Sequence, residues 1–281
     1  MKTLIFGKGF LGQRLAASIE GSLISDVNIL DHAALSQIIA QEKPDAVINA
    51  AGKTGKPNVD WCETHFYETY QTNVIGALNV ANACETWGAY MLHLGSGCIF
   101  YGDSPFIGGW KEDDFANPTS YYSRTKYAAD LVLGRLPWVG IARLRMPVDH
   151  TPGPRNLITK LASYNQIIDV QNSVTVVDDF VSVARQLVAQ RAPGIFHVTN
   201  PGVMRHRELV DLYRELVDPN HVCEFIEADE LIRRRLAMSA RSNCILSSTR
   251  LNDLGITMRP IDEALKDSMR KYSESLAINF I

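Results

Sequence analysis

Apolar positions along the chain fall into short unbroken runs, and stretches of helical spacing lie between them. Residues 2–6 form a β-branched and apolar run, followed at once by Gly7-Lys8-Gly9-Phe10-Leu11-Gly12 and then by Leu15, Ala16 and Ile19 at the period of a helix. A helix over 33–41 leads into Ala46-Val47-Ile48, which ends in Asn49-Ala50-Ala51-Gly52. Helical spacing over 73–84 precedes a strand at 90–95, and a helix over 122–133 precedes a strand at 139–144. Strands that are apolar throughout are covered on both faces, so the alternation predicts an α/β fold, a Rossmann-type doubly wound parallel sheet with right-handed crossovers. Ligands of such sheets gather at the carboxyl ends of the strands.

The pattern changes after Pro147, where Pro152, Gly153 and Pro154 mark an irregular excursion before a short helix over 157–164. A strand at 194–199 reads as a return to the sheet, and 208–281 reads as helix-rich beyond a hinge at Pro201-Gly202. Two lobes are therefore expected: a dinucleotide-binding lobe of 1–147 and 174–200, and a smaller, mainly C-terminal substrate-binding lobe of 148–173 and 201–281, with a cleft between them.

Composition narrows the function. A length of 281 residues with 46% apolar side chains is enough for a substantial core. The net charge is −3 and the 28 basic residues are scattered, without the aromatic-interleaved basic runs of a nucleic-acid surface. The N-terminal apolar run is broken by Gly7, Lys8 and Gly9, and no stretch reaches the ~18 apolar residues that span a membrane. Cys62, Cys84, Cys98, Cys223 and Cys244 contain no C-x-x-C pair, which points away from zinc and from a disulfide framework and toward a reducing cytoplasm.

The glycines carry the first chemistry. In a strand-to-helix turn, Gly7 permits the turn, Gly9 lets a pyrophosphate approach the backbone and Gly12 lets the helix pack on the strand. The pyrophosphate then meets the positive end of the helix. Asp26, 19 residues beyond Gly7, stands where a carboxylate accepts from the ribose of NAD, whereas Lys8 suits the extra phosphate of NADP. Asp31 either borders the adenine or caps the following helix. NADPH is the expected cofactor, with NADH the alternative.

Tyr122 and Lys126, four residues apart, share a helix face. Alone, such a pair is commonly a tyrosine beside a solvated lysine. At the strand ends, the ammonium is expected to lower the phenol's pKa and make it a general acid toward a carbonyl oxygen, with Ser96 donating to the same oxygen.

Together these residues resemble the extended short-chain dehydrogenase/reductases, and among them the nucleotide-rhamnose synthase/epimerase-reductases, with dTDP-4-dehydrorhamnose reductases as more distant relatives. The resemblance rests on Asn49-Ala50-Ala51-Gly52-Lys53-Thr54-Gly55-Lys56-Pro57-Asn58-Val59-Asp60-Trp61-Cys62-Glu63, Gly97-Cys98-Ile99-Phe100, Arg145-Met146-Pro147, Pro154-Arg155-Asn156-Leu157-Ile158-Thr159-Lys160, Thr199-Asn200-Pro201-Gly202 and Arg241-Ser242-Asn243. It implies an NAD(P)H-dependent oxidoreductase and isomerase acting on a UDP- or dTDP-linked 4-keto-6-deoxy sugar in rhamnose biosynthesis. Ser96, Tyr122 and Lys126 would form the reducing triad. Cys98 and Lys160 would move protons on opposite faces of the sugar, with Lys126 favouring the thiolate and strand alternation aiming Cys98 with Ser96.

The same resemblance places Ala50, Ala51, Lys53, Asn73, Met146 and Pro147 beside the cofactor and Asn156, Arg241 and Asn243 beside the substrate. The ordinary fates of these residues are a buried thiol for Cys98 and surface positions for Lys160, Arg241 and Asn243. A homodimer through the helices over 66–84 and 122–133 is expected by analogy with relatives. The glycine loop is one residue shorter than the family's G-x-x-G-x-x-G, and no dehydratase region accompanies it, so the keto sugar is expected from another enzyme. A ketoreductase without epimerase activity and a non-catalytic binding subunit are the competing readings.

Overall fold

In the computed structural model, which describes residues 1–105 and 107–278, the apolar runs become a six-stranded parallel sheet. The first half of the chain holds β1 (Thr3–Phe6), α1 (Phe10–Ser18), β2 (Leu23–Ser25), α2 (His32–Glu42), β3 (Ala46–Asn49) and α3 (Phe66–Tyr70). A π-helical stretch, Gln71–Gly76, joins α3 to α4 (Ala77–Trp87), and β4 (Tyr90–Ser96), α5 (Tyr121–Leu133) and β5 (Val139–Leu144) follow. Beyond it come β6 (Pro147–Val148), α6 (Leu157–Ala162), β7 (Gln166–Ile168), β8 (Gln171–Asn172), β9 (Thr175–Val176), α7 (Val177–Gln190) and β10 (Gly194–Val198). The chain closes with β11 (Met204–Arg205), α8 (His206–Leu216), β12 (Glu224–Ile226), α9 (Glu230–Arg233), α10 (Arg250–Asp253) and α11 (Ile261–Ile278).

The sheet order is β10-β5-β4-β3-β1-β2, so strand succession reverses beside β1 and β3. That reversal opens a crevice at their carboxyl ends. Strand alternation divides the core between the two faces. Ile5, Ile48, Leu92, Leu94, Ala142 and Leu144 pack beneath α1 and α7, while Leu4, Phe6, Val47, Met91 and Ile141 pack against α2, α4 and α5.

Two elements were not anticipated. β2 is only three residues long and half-exposed, too short to register as a run. α7 buries Val177, Phe180, Val181, Ala184, Leu187 and Val188 at helical spacing and supplies the crossover that returns the chain to β10.

The expectation of a helix-rich 208–281 holds only in part. α8 and α11 do pack with α6 around Leu161, Leu209, Val210, Leu265 and Met269. Between them, however, β12 pairs with β7, and a long irregular stretch recrosses to the sheet side. There Leu246 bridges to Trp110, Cys244 and Leu246 join Ile99 and Phe100, and Leu251 and Ile256 enter the core under α7.

Gly12 packs so tightly on β1 that a Cβ there would overlap the Gly7 carbonyl oxygen, whereas a Cβ at Gly9 would meet nothing within 4 Å. Gly12→Ala is expected to lower the unfolding free energy by about 3 kcal/mol, and Gly9→Ala by about 1 kcal/mol or less. Urea denaturation checks the contrast, and equal losses for the two variants would contradict it.

Candidate active site

At the crevice the glycine loop has the shape a pyrophosphate needs. Gly7 adopts φ +100°, a left-handed conformation that lets it pass hard against Ala50 and Ala51 at the end of β3. Gly9 caps α1 without a side-chain bond, and no acidic residue occupies the first turn. Free amide donors at the positive end of α1 therefore face open space, which fits a dinucleotide phosphate. Phe10 and Leu11 tuck against the core, so what they turn to the loop is backbone.

The two indications of cofactor choice cancel: Lys8 Nζ bonds the Asp26 carboxylate at 3.0 Å on the surface, and that bond holds the Asp26 pKa below the usual carboxylate range. Asp31 is a helix cap, its Oδ1 accepting from the Ala34 amide at 3.0 Å.

Asn73 lies in the π-helical stretch, and its side chain is spent on the neighbouring loop. Its Oδ1 accepts from Lys53 N at 2.7 Å, and its Nδ2 donates to Lys53 O at 3.0 Å and Thr125 Oγ1 at 3.1 Å. Expected beside the cofactor, Asn73 is buried in this structure and fixes the loop after β3 through these three bonds. Lys53 lays its ammonium over Trp61, 5.2 Å from the ring centroid. Met146, at φ +44°, bends the chain off β5 before Pro147 opens β6, which pairs with β9. Such a conformation in a residue with a Cβ is stored strain of a kind found at functional sites.

The reducing group comes together differently from expectation. The Tyr122 hydroxyl faces Ser96 closely enough for the two to interact, and Ser96 favours the phenolate. Its phenol is not acidified; burial pushes its pKa up, and the Cys98 sulfur adds to that. Lys126 turns instead to the sheet, where Nζ lies 2.9 Å from His93 Nε2 and donates to Leu94 O at 2.8 Å. Burial brings its pKa down to about 8, against the pull of Asp130.

Hydrogen-bond polarity gives the same result. Ala51 N donates to Asn49 Oδ1 at 3.1 Å, which turns Nδ2 as donor toward His93 Nδ1 at 3.2 Å. An imidazole that accepts at Nδ1 carries its proton on Nε2, and that N–H needs the lone pair Lys126 offers once its amine gives up its proton, near pH 8.

Cys98 and Lys160, expected to form a second proton-transfer pair, lie near the same mouth. β4 ends at Ser96 because Ser96 Oγ accepts from Cys98 N at 3.2 Å, and residues 97–99 form a 3-10 turn rather than continuing the strand. Cys98 is half-exposed, and its neighbouring cation is Arg145, whose Nη1 donates to Sγ at 3.0 Å, not Lys126. The Lys160 side chain makes no hydrogen bond or ion pair among the described residues. Burial and Arg155 lower its pKa while Cys98 raises it, so it lies within electrostatic reach of that sulfur.

Two residues expected beside the substrate are bonded within the protein. Asn156 is buried and caps α6, its Oδ1 accepting from Asp149 N and Ile158 N and its Nδ2 donating to Asp149 O at 2.6 Å and Thr151 O at 2.9 Å, which leaves nothing for a sugar. Arg241 spends both Nη atoms on Asp60 at 2.7 Å, tying the recrossing segment to the loop after β3. The Asn243 side chain has no partner among the described residues, and its backbone carbonyl accepts from Gly102 at 2.9 Å. Sequence reasoning gave no role to His93 or Arg145. Arg145 stood within a quoted segment, but its partners lie far along the chain.

The family model for the RmlD substrate binding domain matches residues 1–274. The chain is 36% identical over 280 residues to the bifunctional dTDP-4-dehydrorhamnose 3,5-epimerase/dTDP-4-dehydrorhamnose reductase of Arabidopsis thaliana, covering 96% of this chain and 91% of that protein. It is 34% identical over 284 residues to a trifunctional UDP-glucose 4,6-dehydratase/UDP-4-keto-6-deoxy-D-glucose 3,5-epimerase/UDP-4-keto-L-rhamnose-reductase of the same plant, covering 97% of this chain and 42% of that longer protein. The solved structure of the L780 UDP-rhamnose synthase from Acanthamoeba polyphaga mimivirus superposes with a TM-score of 0.90 at 29% identity, over 96% of this chain and 99% of that one. A dTDP-4-dehydrorhamnose reductase from Bacillus anthracis str. Ames, in complex with NADP, shares the fold with a TM-score of 0.81 at 22% identity, over 95% of this chain and 97% of that one.

The Lys126 shift has a stability consequence whose sign is fixed. Below pH 8 the folded and unfolded states both hold the proton; between 8 and 10.5 only the unfolded state keeps it, so stability rises with pH across that window. The stability of the native protein relative to Lys126→Met is expected to improve by on the order of 3 kcal/mol between those limits. Denaturant unfolding of both proteins at pH 7 and 10.5 measures it; an unchanged difference contradicts the lowered Lys126 pKa.

Proposed function

Because this chain belongs to the RmlD substrate binding domain family, we propose that it is a bifunctional 3,5-epimerase/4-reductase. It converts a UDP- or dTDP-linked 4-keto-6-deoxyglucose to the corresponding nucleotide-L-rhamnose, using NADPH in preference to NADH. One observation carries the reading: Cys98 and Lys160 lie within electrostatic reach of each other at the mouth that Tyr122 and Ser96 line. The names of the plant relatives, both epimerase-reductases, support it.

The protons on C3 and C5 are acidic because both carbons adjoin the C4 carbonyl. The Cys98 thiolate takes one of them, the electron pair moves onto O4, and the hydroxyls of Tyr122 and Ser96 donate to the resulting enolate oxygen. Lys160 returns a proton to the carbon from the opposite face, so configuration inverts without any change in oxidation state. Bound NADPH would supply the hydride for C4. Tyr122 breaks its O–H bond to protonate O4, and burial serves this step by keeping the phenol protonated at neutral pH. Lys126, which exchanges its proton near pH 8, restores the phenol.

The cofactor lobe is taken as 1–147 and 174–200 and the substrate lobe as 148–173 and 201–281. Among the described residues no helix is long and apolar enough to cross a membrane. A cytoplasmic setting, in which Cys98 stays a thiol, and a homodimer complete the proposal, with neither nucleic acid nor membrane as partner. Exposed Phe66, Tyr67 and Ile75 on one helical rod and Leu131 and Val132 on α5 support the dimer.

Incubation with each nucleotide 4-keto-6-deoxyglucose and NADPH in heavy water is expected to give a rhamnose product carrying deuterium at C3 and C5 by NMR. Cys98→Ser should abolish the exchange and retain reduction of pre-epimerised substrate, and Tyr122→Phe should slow reduction by about 10³-fold. Reduction without deuterium at either carbon would leave only a ketoreductase. Sedimentation should find a dimer that Leu131→Asp converts to monomer; a native monomer removes that part of the proposal.

A further inference from the structure

Two arginines stand two residues apart at the end of β5, both buried, and they are treated in opposite ways. Arg143 is neutralised by Asp130, its Nε 2.8 Å from the carboxylate. Arg145, 3% exposed, has no carboxylate partner among the described residues. Its Nη2 donates to Asn172 Oδ1 at 2.5 Å and to the Ser242 carbonyl, both uncharged. Its Nε has no partner, and its Nη1 points at Cys98 Sγ, 3.0 Å away. A buried guanidinium with no anion is among the more destabilising arrangements a protein interior can hold.

Among the described residues around Arg145 the groups able to supply the missing negative charge are thiols, those of Cys98 and Cys244. Cys244 is excluded by its own bonding: its S–H donates to Gly97 O at 3.5 Å, and burial pushes the thiol up despite the nearby cation. Cys98 Sγ is only an acceptor in its contact with Arg145, and it is the more exposed of the two. The groups facing it are Arg145 from β5, Lys160 from α6, Tyr122 from α5 and Cys244 from the recrossing segment. Two of the four are cations and the other two are neutral at pH 7.

We propose that Arg145 is the resident counter-ion of the Cys98 thiolate, a positioning residue that keeps the epimerising base charged before substrate arrives. The inference rests on the base role given to Cys98 above. Asn172 and Ser242 hold the guanidinium fork from behind, so its free edge cannot turn from the sulfur. When the sulfur takes a proton from the sugar, Arg145 loses its partner. That imbalance favours loss of the Cys98 proton to solvent, Lys160 takes up a proton from solvent in place of the one it gave the carbon, and the pair is reset for the second carbon.

Alkylation of Cys98 by iodoacetamide, followed by peptide mass spectrometry, reads the thiolate without any substrate. At pH 7 Arg145→Gln is expected to react about tenfold more slowly than the native protein, with Arg145→Lys recovering part of the rate and all three converging above about pH 10. Equal rates at pH 7 overturn the proposal. Should Arg145→Gln fail to fold, the 240 nm thiolate absorbance of the native protein minus that of Cys98→Ala serves instead: a positive difference at pH 7 supports the pairing and its absence overturns it. The heavy-water exchange separates the two ideas. A charged Cys98 without exchange leaves the pairing standing and removes the base role; exchange with equal alkylation rates removes the pairing alone.

Discussion

Lys126 places an amino group where water does not reach, and every partner it has must come from the sheet. Moving such a group out of water costs several kcal/mol unless it is well bonded or gives up its charge; here the bonds are made and the charge is released near pH 8. The Leu94 carbonyl accepts from it, His93 faces it, and Asn49 fixes His93 from the next strand. This chain of bonds crosses β3, β4 and α5, so the position of the reducing helix is set by the strand that also carries Ala50 and Ala51. α5 is held as well by Ser120 Oγ at its cap, by Glu63, which accepts from Tyr121 N at 2.9 Å, and by Thr125 through Asn73. Dinucleotide loop, π-helical stretch and proton donor are thus one mechanical unit.

Much of that unit was legible in the sequence. Unbroken apolar runs give a buried parallel sheet, and the glycines behave as their spacing indicates: Gly7 and Gly12 are crowded by backbone and Gly9 is open. What escaped is of two kinds. β2 and α7 were missed because one is too short for any periodicity and the other lies between two irregular stretches that drew the reading toward loops. The electrostatics were misassigned because helical spacing makes Tyr122 and Lys126 neighbours but does not say that His93, from another strand, draws the amine inward. Likewise Arg145 meets Cys98 only because adjacent strands end together.

The polar residues of the site divide by a simple criterion, which is whether their bonding capacity is already filled. Asn156 has no capacity left, Asn73 keeps only one lone pair on Oδ1, and both serve as internal braces, for α6 and the loop after β3. Arg241 is committed to Asp60, and that ion pair fastens the C-terminal segment over the mouth. Lys160 and Asn243 keep theirs, and so do the amides at the start of α1. A sequence resemblance names all of them alike, and it is the coordinates that separate a brace from a side chain left free.

The wide turn at Gln71–Gly76 sets α3 and α4 out of rotational phase. Phe66 and Tyr67 therefore look outward while Ala77, Val80, Ala81 and Cys84 look inward along what is nearly one rod. Losing a single residue from that turn would spin the upstream segment by about 100°. The brace at Asn73 and the aromatic surface at Phe66 are thereby uncoupled: substitutions can accumulate on the outward face without disturbing the loop beneath, provided the number of residues in the turn does not change.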